Sequence, residues 1–152
     1  MGLFNAIDIA GSALSAERVR MDVTSENLAN AQTTRTASGQ PYQRQEVVLQ
    51  QVAPANFGST LSGAMGATGA SGGGAPAGGV EVAGIVSDPT PDQLIYDPSS
   101  PEANARGYVR MPNVNTVTEM TDLISESRAY QSDVTAMQTA KSMFTATLGL
   151  LK

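Results

Sequence analysis

Apolar residues recur every seven positions at both ends of this chain. Near the start, Ile7, Leu14, Met21 and Leu28 keep that interval, while the half-way positions Leu3, Ala10, Glu17 and Thr24 run from large to polar. One row is strong and the other fades. Towards the end, Leu123, Tyr130, Met137, Phe144 and Leu151 hold the interval through five places, beside the row Met120, Ser127, Val134, Lys141 and Leu148. Seven-residue spacing keeps a stripe on one side of a helix wound at 3.5 residues per turn, the seam of a coiled coil. The pattern predicts a helix over residues 1–31 and a second over 116–152, the latter about 50 Å long at 1.5 Å per residue. Thr116 and Glu119 fit a capping box at the start of the second helix. Pro112 marks the end of an extended lead-in to it.

Between the helices, residues 32–115 hold twelve of the fifteen Gly and all eight Pro. Strand-like runs at Gln43–Val52, Val80–Ser87 and Gln93–Tyr96 are bounded by Gly, Pro and Asp. The stretch 56–79, with nine Gly, offers too little apolar surface to offset its ordering entropy and reads as a flexible surface loop. It is no phosphate cradle, because Gly66–Gly69 and Gly72–Gly74 lack a following Lys-Ser/Thr and a strand-to-helix setting. The expected fold is mainly α with a small β-containing middle region, its N- and C-terminal helices packed as a coiled-coil pair. Two helices share one seam, and Phe4, Val19, Val23 and Ile124 lie off it, which leaves apolar surface for other subunits. An ordinary intramolecular core accounts for such stripes equally well.

Composition narrows the chemistry. With no Cys and no His, the usual ligands of zinc, haem, copper and iron–sulfur centres are missing, and so is the imidazole of a Ser or Cys nucleophile. No cofactor is expected. A formal charge of −5, spread evenly along the chain, argues against a nucleic-acid partner. No run of 18 apolar residues suggests membrane insertion, and no basic, uninterrupted apolar leader marks a cleaved signal peptide. The carboxylate pair Glu119 and Asp122 belongs to an opening helical turn, where the helix dipole favours acids. Asp88 and Asp92 belong to a turn-forming DPTPD stretch. Neither suggests a catalytic dyad, and no small-molecule substrate is expected. Asn27 and Asn30 are poor helix formers at the end of the first stripe. Their amides can cap the last carbonyls or bond to a neighbouring chain, against the plainer reading of a simple helix end.

The run Asn27-Leu28-Ala29-Asn30-Ala31 followed by Thr33 and Thr34 resembles the N-terminal signature of bacterial flagellar rod and hook proteins. Gly107-Tyr108-Val109-Arg110-Met111-Pro112-Asn113-Val114-Asn115 looks like the basal-body rod protein family, its proximal rod members in particular. So do Glu119-Met120 and Ser127-Arg128-Ala129-Tyr130-Gln131, and Gln40-Pro41-Tyr42 and Asp97–Pro101 match as well. The stretch 63–79 departs from the pattern and reads as an inserted loop. The resemblance implies an axial, non-enzymatic subunit of the flagellar basal body in the periplasmic space. Such a subunit is exported by the flagellar type III apparatus without a cleaved signal and assembles with copies of itself and other rod and basal-body proteins. Its terminal helices would form the inner tube, with the two seven-spaced rows, Asn27 and Asn30 at subunit contacts. A non-flagellar coiled-coil adaptor or scaffold is the alternative.

Overall fold

The structure is a computed structural model that describes residues 3–52 and 78–149. Helix α1 spans Leu3–Ala29 and helix α2 spans Thr116–Gly149; between them lie strands β1 (Gln45–Gln51), β2 (Val80–Ser87), β3 (Gln93–Tyr96) and β4 (Tyr108–Met111). Most of the Gly-rich stretch, and Leu151, fall outside the described residues. No described helix is long and apolar enough to cross a membrane.

The strands form two antiparallel pairs. In the first, Gln45 faces Ser87 and Gln51 faces Val80, with the register broken between Val48 and Leu49. Val48 faces Gly84 and Leu49 faces Val82, so Ala83 is the extra residue of a bulge. In the second pair Gln93 faces Met111 and Tyr96 faces Tyr108. The Tyr96 and Tyr108 rings meet edge to face, 5.2 Å apart. Gly107, which precedes β4, has φ +79, and a Cβ there would come within 2.8 Å of Tyr96 Cε2. Only glycine supplies this turn and lets the tyrosine close over it. The first sheet is clamped to α1 through Ser12, whose hydroxyl donates to Ile9 O (2.7 Å) and accepts from Val80 N (3.1 Å).

The two helices pack antiparallel. Asn27 meets Glu119, Thr24 meets Glu126, and a Cβ added at Gly11 would lie 4.0 Å from Met137 Cε. Residue numbers fall along α1 as they rise along α2. The tightest part of the contact is not the pair of large apolar rows. Ile7, Leu14, Met21 and Leu28, like Leu123, Tyr130, Met137 and Phe144, are half-buried at its edges. Its centre is small and polar: Ala16, Val23, Thr24 and Asn27 from α1, Glu119 and Glu126 from α2. Glu119, Glu126, Asp133 and Ala140 are the row that alternates with Leu123, Tyr130, Met137 and Phe144 on the inward side. The expected companions Met120, Lys141 and Leu148 are exposed. Val23, expected off the seam, lies in it, whereas Ile124 does point outward. A further small core, Ala31, Tyr42 and Val114, closes the end where the middle region meets both helices.

Candidate functional site

The residues that stand out in the sequence converge where the end of α1, the entry to β1 and the start of α2 meet. Asn27 is the hub, with 1% of its surface exposed. Its Nδ2 donates to Gln45 O (2.8 Å) and Glu119 Oε2 (3.1 Å), and its Oδ1 accepts from Gln45 N (2.9 Å) and the Tyr42 hydroxyl (3.0 Å). Two donors and two acceptor sites is the whole capacity of a side-chain amide. Asn27 is therefore spent inside its own chain rather than offered to a neighbour. Asn30 caps the helix it belongs to: its Nδ2 donates to Glu26 O (3.0 Å) and its Oδ1 accepts from the Thr33 hydroxyl (3.1 Å).

Arg44 supplies the positive charge. Its Nε donates to Glu119 Oε1 at 2.5 Å, it pairs with Glu46, and Asp88 and Asp122 each lie 3.8 Å away. The bond to Glu119 raises the Arg44 pKa, against the opposing effect of burial. Glu119, also 1% exposed, thus has one oxygen on a guanidinium and the other on an amide. That arrangement satisfies a buried carboxylate. The Tyr42 hydroxyl is pushed up to about 12, first by burial and then by Glu26 and Glu119, so it stays a neutral donor to Asn27.

The lead-in to α2 is pinned by the same node. Pro112 is fully buried. Asn113 Oδ1 accepts from Arg44 N (2.8 Å), and its Nδ2 donates to Thr90 O (3.2 Å) and Asp88 O (3.4 Å). Asn115, not Thr116, caps α2: its Oδ1 accepts from Val117 N (3.0 Å) and Thr118 N (3.3 Å). The capping-box expectation fails because Glu119 turns inward to Arg44 instead of back to the helix start. Gly107 and Tyr108 sit at the far end of this segment, in the β3–β4 pair. Asp88 makes the expected Asx turn, accepting from Thr90 N and its hydroxyl, and those bonds hold its carboxyl below the usual range.

Two turns further along α2, Glu126 is 4% exposed. Its Oε1 accepts from the Thr24 hydroxyl (3.2 Å) and lies 3.4 Å from Arg20, which also pairs with Glu17. Its Oε2 is buried with no hydrogen-bond partner among the described residues. Burial pushes the Glu126 carboxyl up; Thr24 and Arg20 oppose this, and Glu17 and Asp122 add to it. Arg20, Thr24, Glu46, Val47, Asp122 and Glu126 line a cleft of about 220 Å³ between α1, β1 and α2.

Reading by apolar stripe missed Tyr42, Arg44, Thr24 and Glu126. The one available signal was an acidic row at seven-residue spacing, Glu119, Glu126 and Asp133, directly beside the apolar one. No group of three or more acidic side chains among the described residues is disposed to hold a metal ion. What the node can do is mechanical: it welds the two terminal helices to each other and to the middle region in one register. The outer face of α2 carries unpartnered apolar side chains: Val117 (71% exposed), Met120, Ile124 (56%), Met143 and Leu148.

Comparison with known proteins places this geometry. Residues 7–35 match the family described as flagella basal body rod protein, and residues 105–150 match the C-terminal family of flagellar basal body rod FlgEFG proteins. The chain is 44% identical over 156 residues to the flagellar basal-body rod protein FlgC of Bacillus subtilis, covering 100% of both chains. It is 43% identical over 150 residues to that of Yersinia enterocolitica, covering 99% of this chain and 98% of the relative. To that of Salmonella typhimurium it is 41% identical over 151 residues, with the same coverage.

Proposed function

The chain belongs to the FlgC family of flagellar basal-body rod proteins, and on that premise we propose that it is a structural subunit of the rod that polymerises through its terminal helices. The observation that carries the polymer is the inverted polarity of the helix pair. Glu119, Glu126, Asn27 and Thr24 share the inside of the contact with only Ala16 and Val23, while the larger Val117, Met120, Ile124, Met143 and Leu148 stay exposed. Fully burying such a side chain contributes roughly 1.5–3 kcal/mol, so covering these half-exposed ones yields several kcal/mol per subunit. A neighbour's helices are the natural cover. Contact through two different patches, head to tail, builds an open helix instead of a closed dimer.

In this reading residues 1–31 and 116–152 form the inner layer, a supercoiled pair whose edge rows meet adjacent subunits. These are Ile7, Leu14, Met21 and Leu28 on one helix and Leu123, Tyr130, Met137, Phe144 and Leu151 on the other. Asn27 holds the pair together from within, and Asn30 caps the end of the first helix. Residues 32–115 form the outer layer. The protein works in the periplasmic rod after export by the flagellar type III apparatus. Its partners are copies of itself and other rod proteins, and it performs no catalysis.

Electron microscopy and light scattering of the concentrated full-length chain test this. Tubes or open filaments are the expected result, and Phe144→Asp, which puts a charge at an edge row, is expected to prevent them. A closed small oligomer fits the adaptor alternative and overturns the polymer. Normal assembly of the Phe144 variant overturns the assignment of the edge row to subunit contacts.

A further inference from the structure

The cleft between α1, β1 and α2 is over-supplied with negative charge. Glu46, Asp122 and Glu126 line it beside Arg20 and Arg44, and Asp88, Glu119 and Glu17, which do not line it, also lie against these two guanidiniums. Such an imbalance in a half-buried setting is costly for an isolated chain. The cleft wall shows the strain in two ways. Glu126 Oε2 is buried and has no partner among the described residues, and burial drives that carboxyl towards its neutral form. Asp122, by contrast, keeps 43% of its side chain exposed, at the rim.

The matching positive charge lies on the opposite side of the same helix pair. Arg128 is exposed and takes part in none of the ion pairs among the described residues. It follows Glu126 by two positions, so helical geometry sets it about 200° round α2 from the seam. Its neighbours one turn away, Ile124, Ser125, Gln131 and Ser132, include no acid. Arg18 is exposed at the same level on α1, but Asp22 stands one turn from it at a salt-bridging interval. Lys141 lies 15 residues beyond Glu126, about 22 Å along the helix. Its single ammonium also lacks the planar fork that can bridge two carboxylates at once. Beside Arg128, exposed Ile124 is available to cover Val47 on the cleft wall.

The geometry points to a specific contact between copies: the Arg128 guanidinium of one subunit enters the cleft of the next and pairs with Asp122 and Glu126. A negative cleft on one face and a cation on the opposite face of one rod give a heterologous contact, which repeats without closing. The contact rests on the polymer reading above and specifies one of its interfaces. The cation also sits beside Glu126, whose buried Oε2 has no hydrogen-bond partner among the described residues.

Charge exchange on the full-length chain tests it, followed by sedimentation velocity over rising concentration at low and high salt. Arg128→Glu and Asp122→Arg are each expected to raise the concentration for half-assembly at least tenfold. The double variant Asp122→Arg/Arg128→Glu, in which the pair 122–128 is again opposite in sign although Glu126 then faces a carboxylate, is expected to assemble at a lower concentration than either single variant. Far-UV circular dichroism of each variant at low concentration is expected to match that of the unmodified chain, which separates lost assembly from lost folding. Single variants that assemble normally overturn the contact, as does loss without rescue in the double variant. Rescue of Asp122→Arg by Arg18→Glu or Lys141→Glu instead assigns the cleft to another cation and overturns the choice of Arg128. An unmodified chain that stays monomeric at every concentration overturns the polymer reading itself, and the contact with it.

Discussion

Replacing Asn27 by Ala tests whether the polar node holds the two ends of the chain together. Four hydrogen bonds disappear at once, between 2.8 and 3.1 Å long. Two of the abandoned partners, the Tyr42 hydroxyl and Glu119 Oε2, are buried, and a buried polar group left unpaired costs about 1–3 kcal/mol. The N–H and C=O of Gln45 lie in a part-buried setting and regain some hydration, so each contributes at the low end of that range. With all four groups taken at the low end the sum is already about 4 kcal/mol, a large share of the roughly 5–15 kcal/mol that separates a folded domain from its unfolded chain. For a chain of this length it corresponds to a fall of roughly 10 °C in Tm. Urea and thermal unfolding of the full-length chain, followed by circular dichroism at low concentration, measure it. Asn30→Ala is the control, because Asn30 only caps its own helix end at the surface; its cost is expected to stay near 1 kcal/mol or below. Asn27→Asp should be worse than Asn27→Ala at neutral pH, since an acceptor then faces Glu119 and Gln45 O where a donor stood. If Asn27→Ala and Asn30→Ala cost the same, or Asn27→Ala stays within about 1 kcal/mol of the parent, the node is not what joins the termini.

Three further expectations concern titration and backbone geometry. The Glu126 pKa is raised in the folded chain, so between its unfolded and folded values the native state holds more protons and stability falls as pH rises. Unfolding free energies from pH 4 to pH 7 should show that slope in the parent and lack it in Glu126→Gln, whatever the offset between the two. Tyr42 moves from 10.0 to about 12, so its contribution is intact below pH 10 and lost as pH climbs from 10 through 12. A spectrophotometric titration should contain a late tyrosine step near pH 12 that Tyr42→Phe removes. Gly107→Ala and Gly39→Ala share a positive φ, +79 and +78, but only the first drives a Cβ into a ring, Tyr96. Both should lose about 1 kcal/mol to backbone strain, and Gly107→Ala should lose more and also weaken the tyrosine signal in near-UV circular dichroism.

The elements were legible in the sequence where pattern and punctuation agreed. The spans of α2, β2 and β3 follow from the seven-residue rows and from runs closed by Gly, Pro and Asp. β1 was foreseen slightly too long, and β4 was read only as an extended entry because its pairing with β3 is not encoded within four residues. The helix contact was harder. Hydropathy assigns the seam to the large apolar residues, yet its centre holds Ala16, Thr24, Asn27, Glu119 and Glu126. Acids take that position because Arg44 and Arg20 reach them, and Arg44 stands 75 residues from Glu119 in sequence. No local pattern carries a partner at that distance. Asn27 was conspicuous as a poor helix former and Asn113 as part of a distinctive run, but their roles depend on a backbone, that of Gln45 and Arg44, which neither residue adjoins.

A purely apolar seven-residue seam is degenerate, because sliding one helix by seven residues, about 10.5 Å, restores a similar set of contacts. Even the acidic row tolerates the slip in part, since Glu126 would replace Glu119 and Asp133 would replace Glu126. The lead-in to α2 removes the degeneracy. Pro112 is buried and Asn113 is bonded to the Arg44 N–H, so α2 cannot slide without drawing both out of the node. Asn115 fixes the first turn three positions later, and Glu119 then meets Asn27 and Arg44 with no freedom of rotation. Fixing the rotation of α2 also fixes which residues face outward. Val117, Ile124 and Arg128 become a defined surface instead of one choice among several. A subunit that must offer an identical face in every copy gains from polar pairs of this kind, whose worth lies in register more than in stability. The burial of acids between the helices and the exposure of apolar residues on their outer side are therefore two consequences of one constraint.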